Sequence, residues 1–138
     1  MNSGNFRNEY PELSGKVVLS VDDNEMNQLV IQKIMENVGI KTVAVQNGAE
    51  AIKMLTDGFR PDFILMDLEM PVMNGVQCSE TIKNNIETQI PIIINSGAVS
   101  EYQKWKLRRI GINDFLEKPY SMHDIFDKLS KNVPLLHV

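Results

Sequence analysis

Residues 62–75 read DFILMDLEMPVMNG, a short apolar run that ends abruptly on Asp67 and passes into a loop punctuated by Pro71 and Gly75. A run this short, flanked by polar residues, predicts a buried strand rather than a helix. The same unit recurs on either side. Residues 16–21, 41–45, 91–95 and 112–116 are further aliphatic or β-branched runs bounded by polar residues or glycine. Between them the spacing turns helical, with Met26, Leu29, Val30, Ile34 and Val38 in the first interval and Ala51, Ile52 and Leu55 in the second. The last interval carries Met122, Ile125, Phe126 and Leu129. Asn24 and Ser121 stand where helix N-caps belong, and Gly39 stands where the first helix should stop. Five strands alternating with five helices predict a doubly wound α/β fold, a (βα)5 parallel sheet covered on both faces by right-handed crossovers.

The 138 residues fit one domain. With 43% apolar and 23% charged residues and a net charge of −4, the composition is that of a globular chain and gives no basis for direct nucleic-acid binding. The one local bunch of cations, Lys104, Lys106, Arg108 and Arg109, reads as a solvated helix face. Cys78 alone excludes an internal disulfide and a cysteine zinc site, and suits a reducing, cytoplasmic setting. Residues 1–14 are rich in Asn, Ser, Gly and Glu and read as a flexible arm or linker, with the folded domain over 15–132 and a tail over 133–138. They lack the apolar core of a secretory signal, and no run approaches the roughly 20 apolar residues that span a bilayer. No membrane contact is therefore expected, although a parent protein could carry an anchor.

In open parallel sheets ligands bind outside the carboxyl ends of the strands. Those ends here carry Asp22 and Asp23, then Asp67, then Ser96, then Lys118, separated by 44, 29 and 22 positions from Asp23 onward. Taken singly, each is an ordinary turn or loop residue. Together at one sheet edge, three carboxylates repel one another unless a cation joins them, and oxygen donors beside a lysine suit Mg²⁺, with Mn²⁺ as a substitute. Such a site suits phosphoryl transfer, in which alignment and charge neutralisation do most of the catalysis. Asp67 is the candidate nucleophile, forming an acyl phosphate. Asp23 would bind the metal directly, Asp22 directly or through water, and the backbone carbonyl of Glu69 is a further candidate ligand. Lys118 and Ser96 would meet the phosphoryl oxygens.

The segments VVLSVDDNEMNQ, ILMDLEMPVMNG, PIIINSGA and GINDFLEKPY, in this order, resemble the receiver domain of response regulators, and the likeness runs from about residue 15 to 131. The wording of the first two is most similar to receivers of hybrid sensor histidine kinases. The resemblance implies a flavodoxin-like sheet in the order 2-1-3-4-5 and phosphorylation of Asp67 by a histidine kinase or a histidine phosphotransfer protein. It also implies metal binding by Asp22, Asp23 and Asp67, and a switch in which Ser96 and Phe115 move together. The output surface would then lie between Val99 and Ser130, with the chain a monomer or weak dimer. Ser96 stands where Thr is more frequent, and Phe115 where Tyr is, so the aromatic can rotate but has no hydroxyl to anchor. The resemblance points to the receiver of a hybrid histidine kinase, with a free-standing single-domain regulator as the alternative. A haloacid-dehalogenase-like phosphatase would want an Asp where Glu69 stands, and a constitutive pseudo-receiver would not need the acidic triad.

Overall fold

A computed structural model describes residues 4–86 and 89–134. Five parallel strands, β1 (Val17–Val21), β2 (Lys41–Val45), β3 (Phe63–Met66), β4 (Ile92–Ser96) and β5 (Asp114–Glu117), form one sheet in the order β2-β1-β3-β4-β5. Six helices accompany them: α1 (Gly4–Glu9), α2 (Glu25–Glu36), α3 (Gly48–Thr56), α4 (Gly75–Asn85), α5 (Glu101–Arg109) and α6 (Met122–Lys131). The expected doubly wound flavodoxin-like fold is thus the one observed, with α2 to α6 as the five predicted helices.

Side chains alternate across each strand, so consecutive residues feed opposite layers. Leu19, Ile64 and Ile94 join Leu55 of α3, Ile82 of α4 and Leu107 of α5 in one core. Val18, Leu65 and Ile93 join Ile31 and Met35 of α2 and Ile125, Phe126 and Leu129 of α6 in the other. Cys78 lies fully buried on α4, and burial pushes its thiol up to about 12. Asn24 and Ser121 cap α2 and α6 as expected, each accepting a backbone N–H three residues on.

Two expectations are corrected. The first concerns residues 4–14, which are not a loose arm. They form α1 and a 3-10 turn (Pro11–Leu13), and Phe6, Tyr10 and Leu13 are buried in the core beside α6. Their four- and three-residue spacing is an apolar stripe short enough to vanish among Asn, Ser and Glu. The rings of Phe6 and Tyr10 pack 5.3 and 5.4 Å from that of Phe126, and the Tyr10 hydroxyl donates to Asp127 at 2.6 Å. His123 Nε2 sits 3.0 Å from the Glu9 carboxylate. Tyr10→Phe is expected to lower stability by about 1 kcal/mol, read as a lower urea midpoint, because a charge-assisted bond is lost without creating a cavity. An unchanged midpoint would mean that the bond adds nothing.

The second correction concerns α2. Its core face is Ile31 and Met35 with Ile34 and Val38 alongside, whereas Met26, Leu29 and Val30 remain 49–66% exposed. Of the five residues that periodicity grouped, Val38 and Ile34 belong to the core, whereas the other three lie on the outer side, and Ile31 and Met35 take their place against the sheet. A smaller shift affects β5, expected over residues 112–116. The Ile112 N–H is still held by the Leu107 carbonyl of the α5 terminus, and Gly111 turns the chain at φ 90°, so pairing starts at Asp114.

Candidate functional site

The register places the site. Val21 lies opposite Val45 on β2 and Met66 on β3, so the next residues, Asp22 and Asp67, leave the sheet side by side. Their backbones are tied there, with the Asp22 N–H donating to the Val45 carbonyl at 3.2 Å and the Asp67 N–H to the Val21 carbonyl at 3.0 Å. Asp22, Asp23 and Asp67 each present a carboxylate oxygen within 4.8 Å of the others. Asp22 is buried, Asp67 half-buried and Asp23 exposed, and Asp22 Oδ1 accepts the Asn24 N–H at 2.9 Å.

Burial pushes the Asp67 carboxyl up to about 6, with the neighbouring Asp22 and, to a lesser degree, Asp23 adding to it. The Glu69 N–H and the charge of Lys118 oppose the shift. A carboxylate poised this way gains from a cation, and oxygen-only donors of this number and charge fit Mg²⁺. Ser96, 1% exposed at the end of β4, donates its hydroxyl to Asp67 Oδ1 at 3.4 Å. The backbone N–H of Lys118 bonds the Ser96 carbonyl at 3.0 Å, which fixes the β5 end beside β4. The structure therefore brings Asp22, Asp23, Asp67, Ser96 and Lys118 to one edge. Phe115 is set apart from them on β5, half-buried, with the Arg108 guanidinium 5.4 Å and the Lys104 ammonium 6.0 Å from its ring.

The loop after Asp67 is held under tension. Val72 has a φ of 71° in a three-residue turn closed by the Met73 N–H on the Pro71 carbonyl, and its side chain is fully exposed. A β-branched residue is strained in that region, whereas glycine is not. Val72→Gly is expected to raise stability by about 1 kcal/mol, measured by urea unfolding, since no packing is lost. A lower stability would show that the turn is not strained. Met66, Met70 and Met73 pack into the core around this loop rather than facing the carboxylates.

Sequence reasoning missed three supports. Glu117 joins the β4–α5 loop to α5, accepting the Val99 N–H at 3.3 Å and pairing with Lys104 Nζ at 2.8 Å. Lys104 above all, with the Val99 N–H, holds the Glu117 carboxyl below the usual range. Asn95 accepts the Tyr120 hydroxyl at 2.8 Å behind Lys118, where burial pushes Tyr120 up to about 12. Gly75 is the third. A Cβ there would stand 2.1 Å from the Asp67 carbonyl oxygen and 2.7 Å from Leu68 Cα. The motif glycine was visible, but its reason was not.

An α/β sheet with an acidic cluster, a hydroxyl and a lysine at its carboxyl edge has the form of a phosphoryl-handling domain. The family model for the response regulator receiver domain matches residues 18–130, and the chain belongs to that family. It is 36% identical over 126 residues to two-component response regulator 24 of Arabidopsis thaliana, covering 89% of each. It is 38% identical to sensor histidine kinase GacS of Pseudomonas protegens over 109 residues, which is 75% of this chain and 12% of that kinase. Among solved structures, the receiver domain of sensor histidine kinase PA1611 from Pseudomonas aeruginosa, with a magnesium ion coordinated in its active-site cleft, aligns with a TM-score of 0.76. Its identity to this chain is 28%, with 87% of this chain and 98% of that one covered.

Proposed function

We propose that Asp67 is the phosphoacceptor of a two-component phosphorelay, taking its phosphoryl group from a phosphohistidine on a histidine kinase or histidine phosphotransfer protein. The observation that carries this reading is the convergence of Asp22, Asp23, Asp67, Ser96 and Lys118 at one sheet edge. Asp22, Asp23 and Asp67 would hold Mg²⁺, or Mn²⁺ in its place, with the Glu69 carbonyl completing the protein ligands. Bound there, the ion supplies charge neutralisation for the phosphoryl oxygens and for the clustered carboxylates. An Asp67 carboxylate oxygen attacks phosphorus in line as the P–N bond breaks, and the imidazole leaves with the electron pair. Lys118 and Ser96 each meet a phosphoryl oxygen.

The exposed apolar face of α2 gives the partner a footing. Val30 lines a hollow of about 230 Å³ with Asn27, Ile34, Asn95, Lys118 and Tyr120, and Met26 and Leu29 are exposed on the same helix, so a partner helix lying there would present its histidine to Asp67. On phosphorylation Ser96 would draw toward the new group and Phe115 turn inward, changing the Val99 to Ser130 surface. Relatives include both a short regulator and long kinases, and the chemistry is the same in either setting. We place the receiver unit over 15–132 with residues 4–14 folded onto it, acting in the cytoplasm as a monomer or weak dimer. Among the described residues no helix is long and apolar enough to cross a membrane.

Incubation with acetyl phosphate and Mg²⁺, followed by intact-mass measurement, is expected to add one phosphoryl group that EDTA prevents. A folded protein that stays unlabelled with both acetyl phosphate and a phosphorylated phosphotransfer protein would rule the reading out.

A further inference from the structure

Gln28 lies in the first turn and a half of α2, four residues past the Asn24 cap, and its side chain runs back to the sheet rather than out to water. Its Nε2 stands 3.0 Å from the Ser20 carbonyl, 2.9 Å from the Asp22 carbonyl and 3.0 Å from the Val45 carbonyl. Those three oxygens close the ends of β1 and β2. An amide nitrogen has two protons, so the three acceptors share them, and the orientation of the group is dictated. Turned the other way, Oε1 would face three carbonyl oxygens. The chosen orientation leaves Oε1 buried with no protein partner among the described residues, while the residue itself borders a hollow together with Asp22 and Asp23.

We infer that Gln28 is a positioning residue for the acidic pair, fixing the Asp22–Asp23 peptide so that both carboxylates are set for the cation. Asp22 is then clamped at two points, its carbonyl by Gln28 and its Oδ1 by the Asn24 N–H, and one carboxylate oxygen stays free to face Asp67. Asp23 hangs from the peptide so fixed. The simpler role, a tie between helix and sheet, is already filled by Ile31 and Met35, which are buried on the same helix. Removing the amide therefore loosens the loop and not the helix. Groups that orient metal ligands from behind carry about 10- to 100-fold in affinity.

The assignment rests on the Mg²⁺-dependent reading above, and one experiment separates the two. Mg²⁺ is titrated into the wild type, Gln28→Met and Gln28→Glu, following the backbone amide shifts of Asp22, Asp23 and Asn24 and the rate of labelling by acetyl phosphate. Both variants keep the shape of the side chain and lose the donor. Their dissociation constants for Mg²⁺ are expected to rise about tenfold or more, with the labelling rate at saturating Mg²⁺ kept within about twofold of wild type. The Glu variant is decisive because its added negative charge would by itself tighten Mg²⁺ binding. Tighter binding in Gln28→Glu, or unchanged affinity in both variants with only a lower melting temperature, overturns the assignment alone. A wild type whose amides ignore Mg²⁺ overturns the reading it rests on as well.

Discussion

Asp67→Asn is expected to accept no phosphoryl group and, in EDTA, to be more stable than the wild type. The amide cannot form an acyl phosphate, so the mass gain with acetyl phosphate disappears entirely. The stability gain follows from the carboxyl's position. Folding moves it from its ordinary 3.8 to about 6, chiefly through burial and then through Asp22. A raised carboxyl binds its proton more tightly in the folded state. That contribution is fully present below the unfolded value and is lost as pH rises through about 6. Discounted for the half-exposed position, the loss is about 1–2 kcal/mol at neutral pH. Urea unfolding of both proteins should therefore give nearly equal stabilities at about pH 4 and a gap favouring Asn above about pH 7. Added Mg²⁺ should close the gap by binding the folded wild type. Equal stabilities across this range would show that Asp67 bears no strain from its neighbours.

Gly75→Ala is expected to cost about 3 kcal/mol and to lower the melting temperature by roughly 10 °C. The added methyl would lie 2.1 Å from the Asp67 carbonyl oxygen and 2.8 Å from its carbonyl carbon. Those are backbone atoms, so no side chain can swing aside to relieve the overlap. Either α4 withdraws from the sheet or the β3 end moves, and both displace Asp67. The Gly75 N–H, which donates to the Leu68 carbonyl at 3.0 Å, would be strained with it. Calorimetry and Mg²⁺ titration should therefore fail together in this variant. A protein melting within a few degrees of wild type would show that the loop has slack.

The strands and the site residues were legible because they obey rules local to a few residues. A run such as FILM before Asp67 needs only its length and flanks to be read, and the topology rule then gathers the strand ends. What stayed hidden depends on partners far along the chain. Phe6, Tyr10 and Leu13 look like stray apolar residues until α6 supplies Phe126 beneath them. Met26, Leu29 and Val30 share a helical face as good as that of Ile31 and Met35, and only the sheet decides between them. Gln28 and Glu117 are unremarkable polar residues whose work lies in carbonyls and cations brought up by the fold. The role of Gly75 needed a distance, not a pattern.

The family model begins at residue 18, yet the hydrophobic layer that its segment helps to form is closed by residues that precede it. The matched segment and the folding module are therefore different lengths. A fragment trimmed to the shared borders would bare the rings that now meet Phe6 and Tyr10, and would favour self-association. Anyone grafting this module into another protein must carry its amino-terminal lid along.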